Sequence, residues 1–131
     1  MRKRVLVADI PESDRRLTEV LNGHELAFAR TLSEAQRALA QGGFDLIVIG
    51  VRFDDSRMFD LVRHVRSGGQ NEPAVACVRI HRFVSPAISI EGLEVAAQAA
   101  ACNLFLDLTK YPDDAAGNAA ARKQLEALFT R

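Results

Sequence analysis

Four consecutive large aliphatics, Leu46-Ile47-Val48-Ile49, leave no polar face on a strand. A sheet with one wet face needs alternation, so an unbroken run calls for helices on both sides, as in the middle of a parallel sheet. Parallel neighbours are joined by crossover connections rather than hairpins, which asks for repeated βα units. The run also locates any chemistry, because open parallel sheets hold their ligands beyond the carboxyl ends of the strands. The residue that closes it is Gly50, which brings no side chain to that place.

The flanking chain supplies the units that such a strand needs. Val5-Leu6-Val7-Ala8 is a short buried strand closed by Asp9, Ile10 and Pro11. Ser13 is placed to cap the next helix, where Leu17, Val20 and Leu21 share a face and Asn22-Gly23 stops the turn. Leu26 and Phe28 alternate with smaller or more polar neighbours, the pattern of a second strand with one better-covered face. Thr31-Leu32-Ser33-Glu34 is a capping box opening a helix with Leu32, Ala35 and Leu39 inward, ended by Gly42-Gly43. Past the polar stretch Arg52 to Arg57, Met58, Leu61, Val62 and Val65 line a third helix that Gly68-Gly69 ends. Pro73 introduces a fourth strand, Ala74 to Val78, and Arg79 to Pro86 reads as an irregular, partly basic loop. Ile90, Leu93, Ala97 and Ala100 mark a small-faced helix, and Leu104 to Leu108 a fifth strand. Pro112-Asp113-Asp114 starts a last helix with Ala121, Leu125, Leu128 and Phe129 inward. Five strands alternating with five helices predict a parallel sheet with right-handed crossovers.

Composition excludes several classes. The 131 residues suffice for one ordinary domain with its own core, 1–131, with no repeat, linker or second domain. Lys+Arg (17) equals Asp+Glu (17), so no overall field draws the chain to nucleic acid or an anionic membrane. The basic start Arg2-Lys3-Arg4 is followed by only four apolar residues before Asp9, too few for export, and no stretch spans a bilayer. Cys77 and Cys102 fit neither a metal-ligand spacing nor a disulfide framework, which points to a reducing, cytoplasmic setting. His24, His64 and His81 have no mutual metal-binding spacing and are expected at the surface or in turns. Cys77 reads as a small buried hydrophobe. No Ser-His-Asp or Cys-His order and no phosphate-binding glycine loop stands out, so an enzyme is not expected and no cofactor is called for.

In order and spacing the chain resembles the receiver domain of bacterial two-component response regulators over nearly its whole length. The residues that carry the resemblance are Val5-Leu6-Val7-Ala8-Asp9, then Gly23-His24-Glu25-Leu26 followed by Ser33-Glu34-Ala35, and above all Gly43-Phe44-Asp45-Leu46-Ile47-Val48-Ile49. It implies a flavodoxin-like, doubly wound (βα)5 fold of strand order 2-1-3-4-5. It also implies phosphoryl chemistry: an acceptor carboxylate ending strand three, two acidic residues after strand one holding Mg²⁺ through oxygen ligands, a hydroxyl after strand four and a lysine after strand five. Here the acceptor position is Gly50, the acidic pair is reduced to Asp9 beside Ile10, and the hydroxyl position is Val78. The lysine position is Leu108, or Asp107 if the strand is slipped by one residue. Lys110 fills that role only with a local insertion, and Asp54 and Asp55 lie too far along the loop to replace Gly50. The segment between Val78 and the fifth strand is longer than the family's usual one, with the excess best placed at Arg79 to Pro86.

The expectation is therefore a degenerate, phosphorylation-independent receiver, a pseudo-receiver with no resident metal, that acts in signal transduction through a protein partner. A homodimer through helix four, strand five and helix five is one form of that contact, as the resemblance implies, with the Ala-rich stretch Ala96 to Ala101 and residues 115–131 on that face. The alternatives are a sensor holding an anion or metabolite in the vacated crevice through Arg52, Arg79 and Arg82, joined by Arg57, or the amino-terminal regulatory part of a longer protein. Gly50 itself reads as a close-packing or loop-exit position. Asp9 reads as a helix cap or a partner of Arg52 or Arg79, with a remnant metal ligand as the alternative. Phe105 stands where the family often has a switching aromatic, although a core strand explains it as well.

Overall fold

The run Leu46–Gly50, β3, is buried along its whole length and occupies the middle of a five-stranded sheet. The structure is a computed structural model and describes residues 2–67, 72–82 and 89–130. β1 (Arg4–Ala8) and β4 (Ala74–Arg79) flank β3, and β2 (Glu25–Ala29) and β5 (Leu104–Asp107) form the edges. The order is β2-β1-β3-β4-β5 with every pairing parallel, the expected doubly wound, flavodoxin-like arrangement. The register sets Val7 and Ala76 beside Val48, and Val78 beside Gly50.

The period of two along each strand splits the core into two layers. Val7, Val48, Ala76 and Val78 face α1 (Asp14–Val20) and α5 (Ala115–Glu126), packing on Leu17, Leu21, Ala121 and Leu125. Leu6, Ile47, Ile49 and Cys77 face α2 (Leu32–Gln41), α3 (Met58–Arg66) and α4 (Ile90–Ala99), packing on Ala35, Leu61, Val62 and Ala97. Each fully buried Leu, Ile or Val contributes about 1.5–3 kcal/mol, which is why β3 tolerates no polar residue.

Capping follows the sequence reading at α2 and α5, and α4 proves to be capped as well. Thr31 Oγ1 accepts from Glu34 N–H at 3.1 Å, and Glu34 reaches back to Arg30 N–H at 2.8 Å. Ser89 accepts from Gly92 N–H, and Asp114 from Gly117 N–H. Gly117 must lack a side chain, because a Cβ there would lie 1.9 Å from Pro112 O.

Elsewhere the structure departs from the sequence reading. Ser13 does not cap α1 with its side chain: Pro11 pre-sets a single 3₁₀ turn over Pro11–Ser13, and the hydroxyl turns inward. Phe28 is 41% exposed on the edge strand, where Arg30 lies over its ring. β5 ends at Asp107, and Leu108 turns into the core at the start of a 3₁₀ turn, Leu108–Lys110. The imidazole of His24 is only 2% exposed: Nδ1 accepts from Lys3 N–H at 3.0 Å and Nε2 meets Glu126 at 2.7 Å, tying the end of α5 to the start of β1. The stop at Gly68-Gly69 and the loop residues from Phe83 to Pro86 lie outside the described residues.

One buried cation holds the α1/α5 layer to the sheet's end. Arg16 is buried and donates to the carbonyls of Leu108 (3.0 Å), Tyr111 (2.9 Å) and Pro112 (3.0 Å) and to Asn118 (3.1 Å). Replacing it with an apolar residue of similar length orphans those carbonyls, and each buried orphan costs roughly 1–3 kcal/mol. Arg16→Met is therefore expected to lower the urea-unfolding free energy by about 2–4 kcal/mol. A change below about 0.5 kcal/mol would mean that water satisfies the loop carbonyls and that the clamp is dispensable.

Candidate functional site

At the carboxyl edge of the sheet the ends of β1 and β3 lie side by side, with Ala8 opposite Ile49. The next residues are Asp9 and Gly50. Asp9 is buried, at 3% exposure, and its carboxylate sits where a side chain on Gly50 would have to be. A Cβ built on Gly50 would lie 2.0 Å from Asp9 Cγ and 2.1 Å from both carboxylate oxygens. The backbone of Gly50 is not in the left-handed region, so the glycine answers to space and not to conformation.

The carboxylate is held there. Asp9 Oδ1 accepts from Ile10 N–H at 2.8 Å and the group hydrogen-bonds the Ser13 hydroxyl, whose oxygen lies 3.2 Å from His81 Nε2. Arg30 donates to the Asp9 carbonyl at 3.1 Å and grips Asp14 with the rest of its guanidinium. Burial lifts the Asp9 carboxyl above the usual carboxylate range, and the bonds from Ser13 and Ile10 and the charges of His81 and Arg30 only partly offset it. Thus, among the described residues, Asp9 neither caps a helix nor pairs with Arg79, and the charge of Arg30 reaches it. The side chain that Ser13 withholds from α1 is spent here.

Strands four and five carry a second pin. Arg79 donates to Asp107 Oδ2 (3.0 Å), Thr109 Oγ1 (3.0 Å) and the carbonyl of Arg82 (2.7 Å). The Arg79 and Asp107 side chains are 12% and 7% exposed, and the two residues are register partners. Burial alone would raise Asp107, but the side-chain and backbone bonds from Thr109 and the Arg79 guanidinium outweigh it and hold the carboxyl below its ordinary value. The residue at the end of strand five is therefore an acid with its counter-ion in place. Lys110 is exposed on the 3₁₀ turn that follows.

The remaining candidates do not complete a phosphoryl site. Asp54 accepts from Leu32 N–H at 2.7 Å, so it caps α2 across the sheet edge, and Asp55 is exposed. Asp54, Asp55 and Ser56 take successive left-handed conformations (φ 42°, 55° and 70°), an uncommon run without glycine. Ile10 is half-buried and Val78 fully buried, and neither side chain offers a polar atom. Arg52 and Arg79 line a cavity with Asp9, Val51, Ile80 and His81, yet it measures only about 10 Å³, room for one water at most. Arg57 and Arg82 are exposed, and among the described residues Arg82 touches Arg79 through its carbonyl. No three His, Cys, Asp or Glu side chains among the described residues are grouped to hold a metal ion. No helix among them is long and apolar enough to cross a membrane.

No protein-family model matches the sequence, and no curated protein is similar to it. Solved structures are. A candidate response regulator from Chloroflexus aurantiacus J-10-fl aligns at a TM-score of 0.77 and 15% identity, over 100% of both chains. A response regulator from Thermotoga maritima aligns at 0.74 and 16%, again over 100% of both. The BeF3-activated N-terminal receiver domain of RstA from Klebsiella pneumoniae aligns at 0.73 and 14%, with the same full coverage. At these identities the likeness is one of fold: the chain has the flavodoxin-like fold of response-regulator receiver domains.

Two measurements test the Asp9–Gly50 packing. Gly50→Ala is expected to cost about 3 kcal/mol by overpacking, and adding Asp9→Ala to recover part of it, with a coupling of at least about 1 kcal/mol. Additive losses would mean that the two residues do not compete for space. The pH dependence has a definite sign. An acid with a raised folded pKa destabilises the fold as pH climbs from its unfolded value of about 3.9 through the folded value. The stability of Asp9→Asn relative to the parent should therefore rise with pH through that window and then level off. A difference that is flat in pH would place the Asp9 carboxyl in water.

Proposed function

We propose that this chain is a pseudo-receiver: a non-enzymatic signalling module of a bacterial cytoplasm that works through protein contacts and without phosphorylation. The observation that carries the reading is the Asp9 carboxylate in the space that any side chain at position 50 would need. An acceptor carboxylate is absent at that position, and adding one requires Asp9 to leave a buried, hydrogen-bonded seat. The Mg²⁺ role falls with it, because the remnant acid is committed inward and its neighbour is Ile10. Arg79 paired with Asp107 takes the place of the hydroxyl and lysine that phosphoryl chemistry uses. The balanced charge gives this module no electrostatic claim on nucleic acid.

The contact surface in this reading is α4, β5 and α5. Val95 is 66% exposed on α4, and a shallow groove of about 240 Å³ runs past Ile90, Glu94, Phe105, Tyr111 and Gln124. A second copy of the chain or another protein docks there, and the module serves either alone as residues 1–131 or as the amino-terminal part of a longer regulator. The competing ligand sensor is disfavoured by the size of the crevice and by the commitment of Arg79 to Asp107.

Incubation with Mg²⁺ and acetyl phosphate should add no phosphoryl group to the intact mass and leave the amide resonances of Gly50 and Asp9 unmoved. Gly50→Asp should not restore the reaction by itself. A Mg²⁺-dependent mass gain in the parent chain sinks the reading. For the docking face, light scattering over a concentration series is expected to show self-association that Val95→Asp weakens at least ten-fold, about 1.4 kcal/mol. A strict monomer removes the homodimer.

A further inference from the structure

The two cysteines, 25 positions apart and unrelated by any motif, meet in the fold. Cys77 is on β4, fully buried, opposite Phe105 of β5. Cys102 lies in the turn between α4 and β5, half-buried, and packs on the same apolar layer as Cys77. Both are free thiols of one packed layer, and the Cys102 thiol also reaches Leu104 O at 3.4 Å.

The turn that carries Cys102 is built to hold it in place. Cys102 N–H reaches back to Ala97 O at 3.1 Å, Ala101 takes a left-handed conformation (φ 72°), and Asn103 N–H bonds Val75 O at 2.8 Å. Arg66, at the end of α3, holds the residues on either side of Cys102: its guanidinium donates to Ala101 O (3.1 Å), to Asn103 Oδ1 (2.6 Å) and to Pro73 O (3.0 Å). Cys102 thus has the partly open, electropositive setting of a reactive cysteine, with a second sulfur behind it. The hydrogen bond from Cys77 draws the Cys102 thiol down to about 7 against its burial, and the Arg66 charge adds to that; the same bond and burial push Cys77 up.

We propose that Cys77 and Cys102 form a peroxide-responsive dithiol that closes to a disulfide between β4 and the α4–β5 turn. The Cys102 thiolate attacks one oxygen of hydrogen peroxide, the O–O bond breaks, and hydroxide leaves. The sulfur of the resulting sulfenic acid is then attacked by Cys77, the S–S bond forms, and the S–O bond breaks. The leaving hydroxide takes the Cys77 proton as water. Two thiols give up two electrons and two protons, and one peroxide becomes two waters. Burial keeps Cys77 from reacting first and leaves it the resolving role. The bond would fasten the carboxyl end of α4 to the sheet, and the assignment stands whether or not phosphoryl chemistry is lost.

The test treats the whole chain with stoichiometric hydrogen peroxide, digests it without reductant and maps the peptides. Loss of both thiols, a mass lower by two hydrogens, a Cys77–Cys102 linked peptide and reversal by dithiothreitol are expected. In Cys77→Ala, Cys102 should instead go on to the sulfinic acid. Sulfinic acid at Cys102 in the parent chain, with Cys77 still alkylatable after denaturation, would overturn the proposal, as would two unreacted thiols. Arg66→Met should slow thiol loss several-fold near neutral pH and not at alkaline pH, where Cys102 is ionised in either protein. Slowing that is the same at every pH would overturn the role given to Arg66.

Discussion

A carboxylate buried against a glycine governs the carboxyl edge of this sheet. Taking a charged group out of water is costly, and the rise in the Asp9 carboxyl is the visible sign of that cost. The cost is bounded by the bonds from Ile10 N–H and Ser13, with His81 behind Ser13 and Arg30 at the carbonyl. Each of these follows from the first choice. With no side chain at position 50, Asp9 can turn inward; with Asp9 inward, Ser13 is drawn from its capping position; and with Ser13 inward, His81 has a partner. The carboxyl edge of the sheet is thereby filled by the chain's own side chains.

Strands four and five solve the neighbouring problem by charge. A buried Arg79 or a buried Asp107 alone would be untenable, and together they satisfy much of each other's bonding demand, with Thr109 and the Arg82 carbonyl adding further bonds while Arg79 Nε stays buried without a partner among the described residues. The pair is a register pair, so it staples the two strands at the level where the sheet opens. A cation and an anion at adjacent strand ends neutralise each other, so the charge of Arg79 is balanced at this edge.

The fold was legible because burial acts through simple periods. Leu46 to Ile49 announced a central strand, and Thr31, Ser89 and Asp114 cap as short polar residues before helices do. The site was legible only as a set of missing groups, Gly50, Ile10 and Val78, since a sequence shows which side chains are present and not which cavity they fill. Leu108 was misplaced by one residue because an apolar residue continuing a strand looks the same as one turning into the core. Ser13 was misjudged because it turns inward to the Asp9 carboxylate and to His81, 68 positions away; His24 lies in the turn before β2 as expected, and what the sequence did not show is its contact with Glu126, 102 positions on. Cys77 and Cys102 were dismissed for want of a spacing rule, yet strands four and five are neighbours in the expected order. Both cysteines sit in or just before those strands, and that was the available signal.

What such a scaffold can still transmit depends on which element is least firmly attached. α1 and α5 are tied through Arg16, the end of α5 is tied to β1 through His24, and α2 is capped from the β3–α3 loop by Asp54. The polar tie of α4 among the described residues is at its carboxyl end, where Arg66 donates to Ala101 O, and the helix buries Leu93 and the single methyl of Ala97. Little apolar area means little free energy per turn; α2 buries only Ala35 but carries the Asp54 cap, and α4 is held by Leu93, Ala97 and the tie at its carboxyl end. It is also the helix that leaves Val95 in solvent and whose carboxyl end leads into Cys102. Asp9 and Arg79 hold the carboxyl edge of the sheet, and the Cys102 turn, where α4 leads into β5, is the place at which the proposed disulfide would limit the movement of α4.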